Sequence, residues 1–189
     1  MLHQFSSSLT QEQKLLKEKK HMPALNKLNE ILYERYGCFF DLKTYRQYDG
    51  NSPKDKQKQK AGIDVECELV FPKTGKRVTL TWDYKFRFKS YPDFLAETVS
   101  VDYSNKPGWA VDPDKENHFI LNINVETKQV VLVNRIELRN AILDGKFSDL
   151  KEKESSTGGR QKSYNTKFIT IPLNRLKEEC PKTIIYSYE

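Results

Sequence analysis

The stretch Arg77-Val78-Thr79-Leu80-Thr81-Trp82-Asp83-Tyr84-Lys85-Phe86-Arg87 alternates polar and apolar side chains without a break. Alternation with a period of two residues is typical of a strand that has one face in the core and one face in water. Trp82 and Tyr84 belong to the apolar face, and Asp83 and Lys85 belong to the polar face. Asp83 and Lys85 therefore point the same way, about 7 Å apart at ~3.3 Å per residue.

A second strand is predicted just before this one. Residues 63–71 alternate in the same way, and Pro72-Lys73-Thr74-Gly75 forms a turn signal between the two runs. If those four residues form the loop, Asp64 lies opposite Asp83. A slip of one residue would expose half of the apolar set, whereas a slip of two would bring Asp64 opposite Lys85 and still keep the three groups together. Directly paired residues have Cβ atoms roughly 4.5–5.5 Å apart. Two carboxylates at that separation repel each other unless a cation lies between them, so the pattern favours a divalent metal.

The order Gly62-Ile63-Asp64, hairpin, Asp83-x-Lys85 resembles the motif of the PD-(D/E)XK nuclease superfamily. The downstream sequence extends the similarity to a group of small phage-type and bacterial nuclease-like proteins. The segments concerned are Tyr91-Pro92-Asp93-Phe94-Leu95-Ala96-Glu97, Lys106-Pro107-Gly108-Trp109 and the apolar run from His118 to Asn122. The resemblance covers roughly residues 60–125, and the aspartate before the lysine is a position where glutamate is commoner in the superfamily.

The resemblance implies a restriction-endonuclease-like fold, in which helices flank a central mixed β-sheet. It also implies a metal-dependent endonuclease or exonuclease that hydrolyses phosphodiester bonds of DNA. Asp64, Asp83 and Lys85 are then the catalytic residues, and Mg²⁺ or Mn²⁺ is bound by Asp64, Asp83 and the backbone carbonyl of Tyr84. Arg87, on the same face as Lys85, is expected to bind a phosphate.

Three further acids are candidate accessory groups near the metal: Glu97, Glu66 and Glu34. Glu97 is placed on a helix predicted over Tyr91–Tyr103. Glu66 shares the predicted face of Asp64, and Glu34 lies on the first helix. The alternative interpretation is that these acids are solvated or paired with basic side chains.

The remaining pattern predicts a single mixed α/β domain over residues 1–189. Pro23 suits the first turn of a helix that ends at Gly37, and strands are expected near residues 38–47, 118–125, 129–134 and 166–171. Residues 136–146 and 173–179 are expected to be helical. A polar, lysine-rich loop is expected over 49–60, and Lys56, Lys58 and Lys60 of this loop are candidate nucleic-acid contacts. Residues 151–163 are expected to be a mobile loop.

Charge and composition restrict the function classes. The 189 residues carry a formal net charge of +6 with a pI near 9.0, which makes nucleic acid a plausible partner. The resemblance favours DNA over RNA. The three cysteines have no zinc-type spacing, and no apolar run approaches the ~20 residues that span a bilayer. With no apolar leader segment, a cytoplasmic protein without a membrane partner is expected.

Two alternatives stay open. One is a catalytically silent protein that keeps the nuclease fold and binds nucleic acid through its basic segments. The other is a protein-interaction module, for which the apolar segment Ile184-Ile185-Tyr186-Ser187-Tyr188 would form an exposed patch or a homodimer contact.

Overall fold

The mixed α/β class is confirmed. The computed structural model of the chain describes residues 11–157 and 164–188, with side chains in 21–156 and 164–188. These residues form two compact units: the first holds 11–90, 116–132 and 185–188, and the second holds 91–115, 133–157 and 164–184. The expectation of a single domain stays a prediction.

The element boundaries are as follows. The α-helices are α1 (Gln11–Tyr36), α2 (Pro53–Lys60), α3 (Arg135–Leu143) and α4 (Leu173–Glu179). The first five strands are β1 (Phe39–Gln47), β2 (Val65–Phe71), β3 (Lys76–Arg87), β4 (Asp93–Val101) and β5 (Lys106–Pro107). The other five strands are β6 (Phe119–Asn124), β7 (Gln129–Asn134), β8 (Lys153–Thr157), β9 (Tyr164–Pro172) and β10 (Ile184–Ser187). A short 3-10 turn, Asp102–Ser104, follows β4.

Two sheets organise these strands. A six-stranded sheet has the order β1-β2-β3-β6-β7-β10, and a four-stranded sheet has the order β5-β4-β9-β8. In the larger sheet β2 pairs antiparallel with both β1 and β3, whereas β3 pairs parallel with β6. The central strand β3 therefore lies between an antiparallel and a parallel neighbour, which makes this sheet mixed.

The core of the first unit includes the apolar face of the hairpin. Val65 is fully buried and Trp82 is 2% exposed. The Trp82 ring lies 5.1 Å from the ring of Phe40 on β1, and the Tyr84 ring meets His21 of α1 edge-on at 4.3 Å. Burial of this aromatic face against β1 and α1 fixes which side chains of β3 point to the other side of the sheet.

The first helix ends as expected but begins earlier. Gly37, with φ of +62°, follows its last residue, and this conformation favours glycine at a helix end. The expectation that Pro23 lies in the first turn is wrong, because Pro23 is inside α1. Proline has no backbone N–H, so α1 lacks one of its internal hydrogen bonds at this position.

Residues 49–60 are not a continuous loop. Ser52 caps α2 by accepting a hydrogen bond from the Asp55 N–H, and Pro53 occupies the first turn. No residue of α2 is buried. The helix therefore has no apolar stripe, and hydrophobic periodicity could not reveal it.

Residues 93–101 form strand β4 and not the helix expected over 91–103. Phe94 and Ala96 are buried, Leu95 between them is half-buried, and β4 pairs antiparallel with β9. Leucine, alanine and glutamate favour helices intrinsically, but pairing with a strand far along the chain outweighs that preference here.

The expected mobile loop and the expected apolar tail also need correction. Residues 153–157 form β8, which pairs with β9, and residues 158–163 lie outside the described part of the chain. The tail forms β10, where Ile184 and Tyr186 are buried. The Tyr186 hydroxyl donates a hydrogen bond of 2.8 Å to the Ala24 carbonyl. Residues 184–188 therefore do not form an exposed apolar patch.

Within residues 11–157 and 164–188, no helix is both long enough and apolar enough to cross a membrane.

Candidate active site

The predicted register of the hairpin is confirmed. Val65 pairs with Trp82, and Cys67 pairs with Leu80. Strand β2 begins at Val65, one residue after Asp64, and Asp64 itself lies in a bend. Gly62, two residues before Asp64, has φ of +77°. The alternating pattern therefore predicted the face correctly, but it extended the strand too far towards its start.

Asp64 is bonded to β3 through both its main chain and its side chain. Its N–H donates a hydrogen bond of 3.0 Å to the Trp82 carbonyl. Its Oδ2 accepts a hydrogen bond of 3.0 Å from the backbone N–H of Tyr84. The carboxylate is thus held beside the part of the strand that carries Asp83 and Lys85.

Asp83 and Lys85 form an ion pair. Lys85 Nζ lies 2.7 Å from Asp83 Oδ2, and the Asp83 side chain is 10% exposed against 31% for Lys85. Thr81 and Asp83 are both buried, so the polar face of β3 is less exposed to solvent than the alternating pattern predicts. A carboxylate removed from water in this way requires a charged partner or strong hydrogen bonds.

The oxygen atoms of Asp64, Asp83 and the Tyr84 carbonyl are candidate ligands for a divalent metal. Asp64 and Asp83 offer hard carboxylate oxygens at one end of the hairpin, as Mg²⁺ requires, and Mg²⁺ normally keeps several waters besides one or two carboxylates. The Tyr84 carbonyl lies on the same edge of β3 as the Tyr84 N–H that bonds Asp64. Among the described residues, no cluster of three or more His, Cys, Asp or Glu side chains could hold a metal. The residues therefore fit a largely hydrated Mg²⁺ or Mn²⁺ but not a site built from three acids.

Two of the predicted site residues, Glu66 and Lys58, form an ion pair with each other. Glu66 Oε2 lies 3.1 Å from Lys58 Nζ, and this ammonium also lies 5.7 Å from the centroid of the Tyr48 ring. Burial raises the pKa of the Tyr48 hydroxyl, and Glu66 adds to this shift. The ion pair between Glu66 and Lys58 thus helps to join α2 to β2. It matches the alternative interpretation of Glu66, in which this acid pairs with a basic side chain.

The remaining predicted residues are distributed as follows. Lys56 and Lys60 are exposed on α2, and Arg87 is half-buried at the end of β3. Glu34 is exposed on α1.

Glu97 belongs to the second unit, on β4, and is half-buried. The backbone of Gly108 passes directly over it: a Cβ at position 108 would lie 2.3 Å from the Glu97 carbonyl oxygen and 2.8 Å from its Cγ. Gly108 N–H donates to the Thr98 carbonyl at 2.9 Å. Position 108 therefore requires glycine because no side chain fits there.

Sequence reasoning missed polar neighbours on β6 and just before it. Asn122 is 6% exposed and pairs with Lys85 in the parallel register, so the two side chains share one face. His118 Nδ1 accepts a hydrogen bond of 3.2 Å from the Thr81 N–H and lies 2.8 Å from the Thr81 hydroxyl. An asparagine inside the apolar run Phe119–Asn124 was the available signal, because a buried amide is costly unless it has a polar partner or a function.

No family model matches this chain, and no curated protein or solved structure matches it either. The similarity to the PD-(D/E)XK superfamily therefore rests on the motif residues themselves.

Proposed function

We propose that this chain is a Mg²⁺- or Mn²⁺-dependent nuclease of the PD-(D/E)XK type that hydrolyses phosphodiester bonds of DNA. The observation that carries the proposal is the convergence of Asp64, Asp83 and Lys85 at one end of the hairpin. Asp64 bonds the Tyr84 N–H, and Lys85 bonds Asp83. Hydrolysis of a phosphodiester needs carboxylates for a cation and a positioned basic group for the attacking water, and these three residues can supply both.

Asp64 and Asp83 would hold the cation, with the Tyr84 carbonyl as a further oxygen ligand. When bound, a divalent cation acts as a Lewis acid on a phosphoryl oxygen and lowers the pKa of its water. The protein's part is to keep the two carboxylates in place. The hydrogen bond from Tyr84 N–H orients the Asp64 carboxylate, and the buried setting of Asp83 limits its rotation.

Lys85 would orient or deprotonate the attacking water, or stabilise the negative charge that develops on the phosphoryl oxygens. Its side chain is 31% exposed, so it is not enclosed by the protein. Arg87, two residues further along the same face, is suited to bind a neighbouring phosphate with two parallel hydrogen bonds.

The exposed lysines of α2 support a nucleic-acid substrate. Lys54, Lys56 and Lys60 are exposed on a helix that leads within four residues into Asp64. Such side chains neutralise backbone phosphates independently of base sequence, and binding of this kind weakens steeply with salt. Lys58, on the same helix, pairs with Glu66.

The test is incubation of the full chain with single-stranded, duplex and branched DNA and with RNA, in Mg²⁺ or Mn²⁺ and then with chelator. Cleavage that stops with chelator supports the proposal and identifies the substrate form. Salt-sensitive binding without cleavage of any substrate would favour the alternative of a catalytically silent binding module.

A further inference from the structure

Strand β1 carries an irregularity next to the candidate site. Asp41 pairs with Glu68 on β2, but Arg46 pairs with Glu66, so residues 42–45 have just one residue opposite them. Thr44 fixes this bulge, because its hydroxyl donates to the Asp41 carbonyl at 2.7 Å and accepts from the Glu68 N–H at 2.9 Å. Bulges redirect side chains and are frequent beside functional sites.

The bulge creates a concavity of about 300 Å³, whose lining includes Lys43, Arg46, Glu66 and Thr79. This concavity lies on the face of the sheet that carries Asp83. The register shows this directly, because Arg46 pairs with Glu66, Glu66 pairs with Thr81, and residues 79, 81 and 83 alternate onto one face. At ~3.3 Å per residue and ~4.8 Å between strands, Arg46 and Asp83 are separated by roughly 12 Å along the sheet.

The acids in the concavity already have basic partners. Glu66 pairs with Lys58 at 3.1 Å, and Glu68 pairs with Arg77 at 2.7 Å.

The two basic side chains of the lining differ from these acids in their ion pairing. Lys43 and Arg46 are exposed, and neither forms an ion pair with any residue that the structure describes. The concavity therefore presents two exposed cations, while the two acids of its lining have other basic partners.

We infer that Lys43 and Arg46 form a subsite for a backbone phosphate of the nucleic-acid strand whose scissile bond lies at Asp83, an inference that rests on the proposed function. Arginine binds phosphate oxygens in pairs and lysine binds them as a point charge. Successive phosphates of one strand advance about 3.4 Å along a duplex axis, so ~12 Å corresponds to a few nucleotides from the scissile position. The subsite would hold the strand in register without reading its bases.

The test measures equilibrium binding of a fluorescent oligonucleotide to the full chain in chelator, between about 50 and 200 mM salt. Lys43→Gln/Arg46→Gln is compared with Lys73→Gln/Lys76→Gln. The control removes the same charge from exposed positions at the turn end of the hairpin. Thermal unfolding of both variants verifies that each is folded. Inorganic phosphate is titrated as a competitor.

We expect Lys43→Gln/Arg46→Gln to bind the oligonucleotide at least about tenfold more weakly than wild type does. The slope of its log affinity against log salt should be shallower by about 1 to 2. The control variant should lose much less. Equal losses in the two variants, no binding by wild type, or a phosphate effect without any oligonucleotide binding would each overturn the subsite. Cleavage in Mg²⁺ is scored separately. If wild type cleaves and Lys43→Gln/Arg46→Gln binds as tightly as wild type, the subsite alone is contradicted. If the double substitution weakens binding but wild type does not cleave, the nuclease chemistry alone is contradicted.

Discussion

The carboxylate of Asp64 accepts a hydrogen bond of 3.0 Å from the backbone N–H of Tyr84, which lies between Asp83 and Lys85 on β3. This single bond links the bend before β2 to the strand that carries the other two candidate catalytic residues. It also separates two roles of Asp64, because an amide oxygen can accept the same bond but does not carry the charge that a cation needs.

Asp64→Asn should therefore keep the fold and weaken binding of the proposed divalent cation. We expect its free energy of unfolding to stay within about 1 kcal/mol of wild type, whereas Asp64→Ala leaves the Tyr84 N–H without this acceptor and should cost roughly 1–3 kcal/mol. Calorimetric titration with Mn²⁺ should detect binding in wild type and much weaker binding in Asp64→Asn. Undiminished Mn²⁺ affinity in that variant would exclude Asp64 as a ligand.

Trp82→Ala should destabilise the first unit. Trp82 is 2% exposed and contacts the Phe40 ring, so truncation creates a cavity and should cost roughly 3–5 kcal/mol in denaturant unfolding. Tyr33→Ala, at a side chain that is 60% exposed, is the control and should change stability by less than about 0.5 kcal/mol. Equal stability of the two variants would refute the assignment of the Trp82 face to the core.

Gly108→Ala should be far more costly than Gly75→Ala. A Cβ at position 108 would lie 2.3 Å from the Glu97 carbonyl oxygen, which is backbone and cannot move aside alone. Gly75 has φ of +67° but nothing within 4 Å of an added Cβ, so alanine there carries just the conformational cost of about 1–2 kcal/mol. Denaturant unfolding of the two variants measures the difference. A milder effect at 108 than at 75 would contradict the close packing of Gly108 on β4.

Stability should fall in alkaline solution. Burial raises the pKa of the Cys180 thiol from 9.0 to about 12, with smaller contributions from Glu137 and Glu179. Burial also raises the pKa of the Tyr186 hydroxyl. Both groups hold their protons more tightly in the folded state. Their contribution is therefore complete below about pH 9 and is lost as the pH rises towards 12.

Denaturant unfolding at a series of pH values from 8 to 11 checks this expectation. Cys180→Ala should make the decline shallower, because one of the buried groups that titrate there is removed. A flat profile in wild type would show that neither group is buried as described.

The hairpin could be predicted from sequence because its two strands each bury one face, and burial of alternate residues specifies the register. The first helix ended where Gly37 indicated, for a similarly local reason. Helix α2 gave no such signal, since none of its residues is buried. Strand β4 depends on pairing with β9, which no local pattern reveals.

The candidate site was predictable to the same extent. Asp64, Asp83 and Lys85 follow from alternation and register within the hairpin. The partner of Glu66 could not be found in this way, because Lys58 reaches it only once α2 lies against β2. The position of Asn122 beside Lys85 depends on a parallel pairing between strands that are separated along the chain.

Mg²⁺-dependent cleavage by wild type, Asp83→Asn, Lys85→Ala and the control Glu30→Gln is the most direct test of the nuclease assignment. Glu30 is 58% exposed on α1, where it pairs with Lys27, and it belongs neither to the candidate site nor to the lining of the concavity. We predict chelator-sensitive cleavage by wild type and by Glu30→Gln, and a loss of at least about 100-fold in both Asp83→Asn and Lys85→Ala. Cleavage that persists in both of those variants, or a folded wild type that cleaves no nucleic acid, would contradict the assignment.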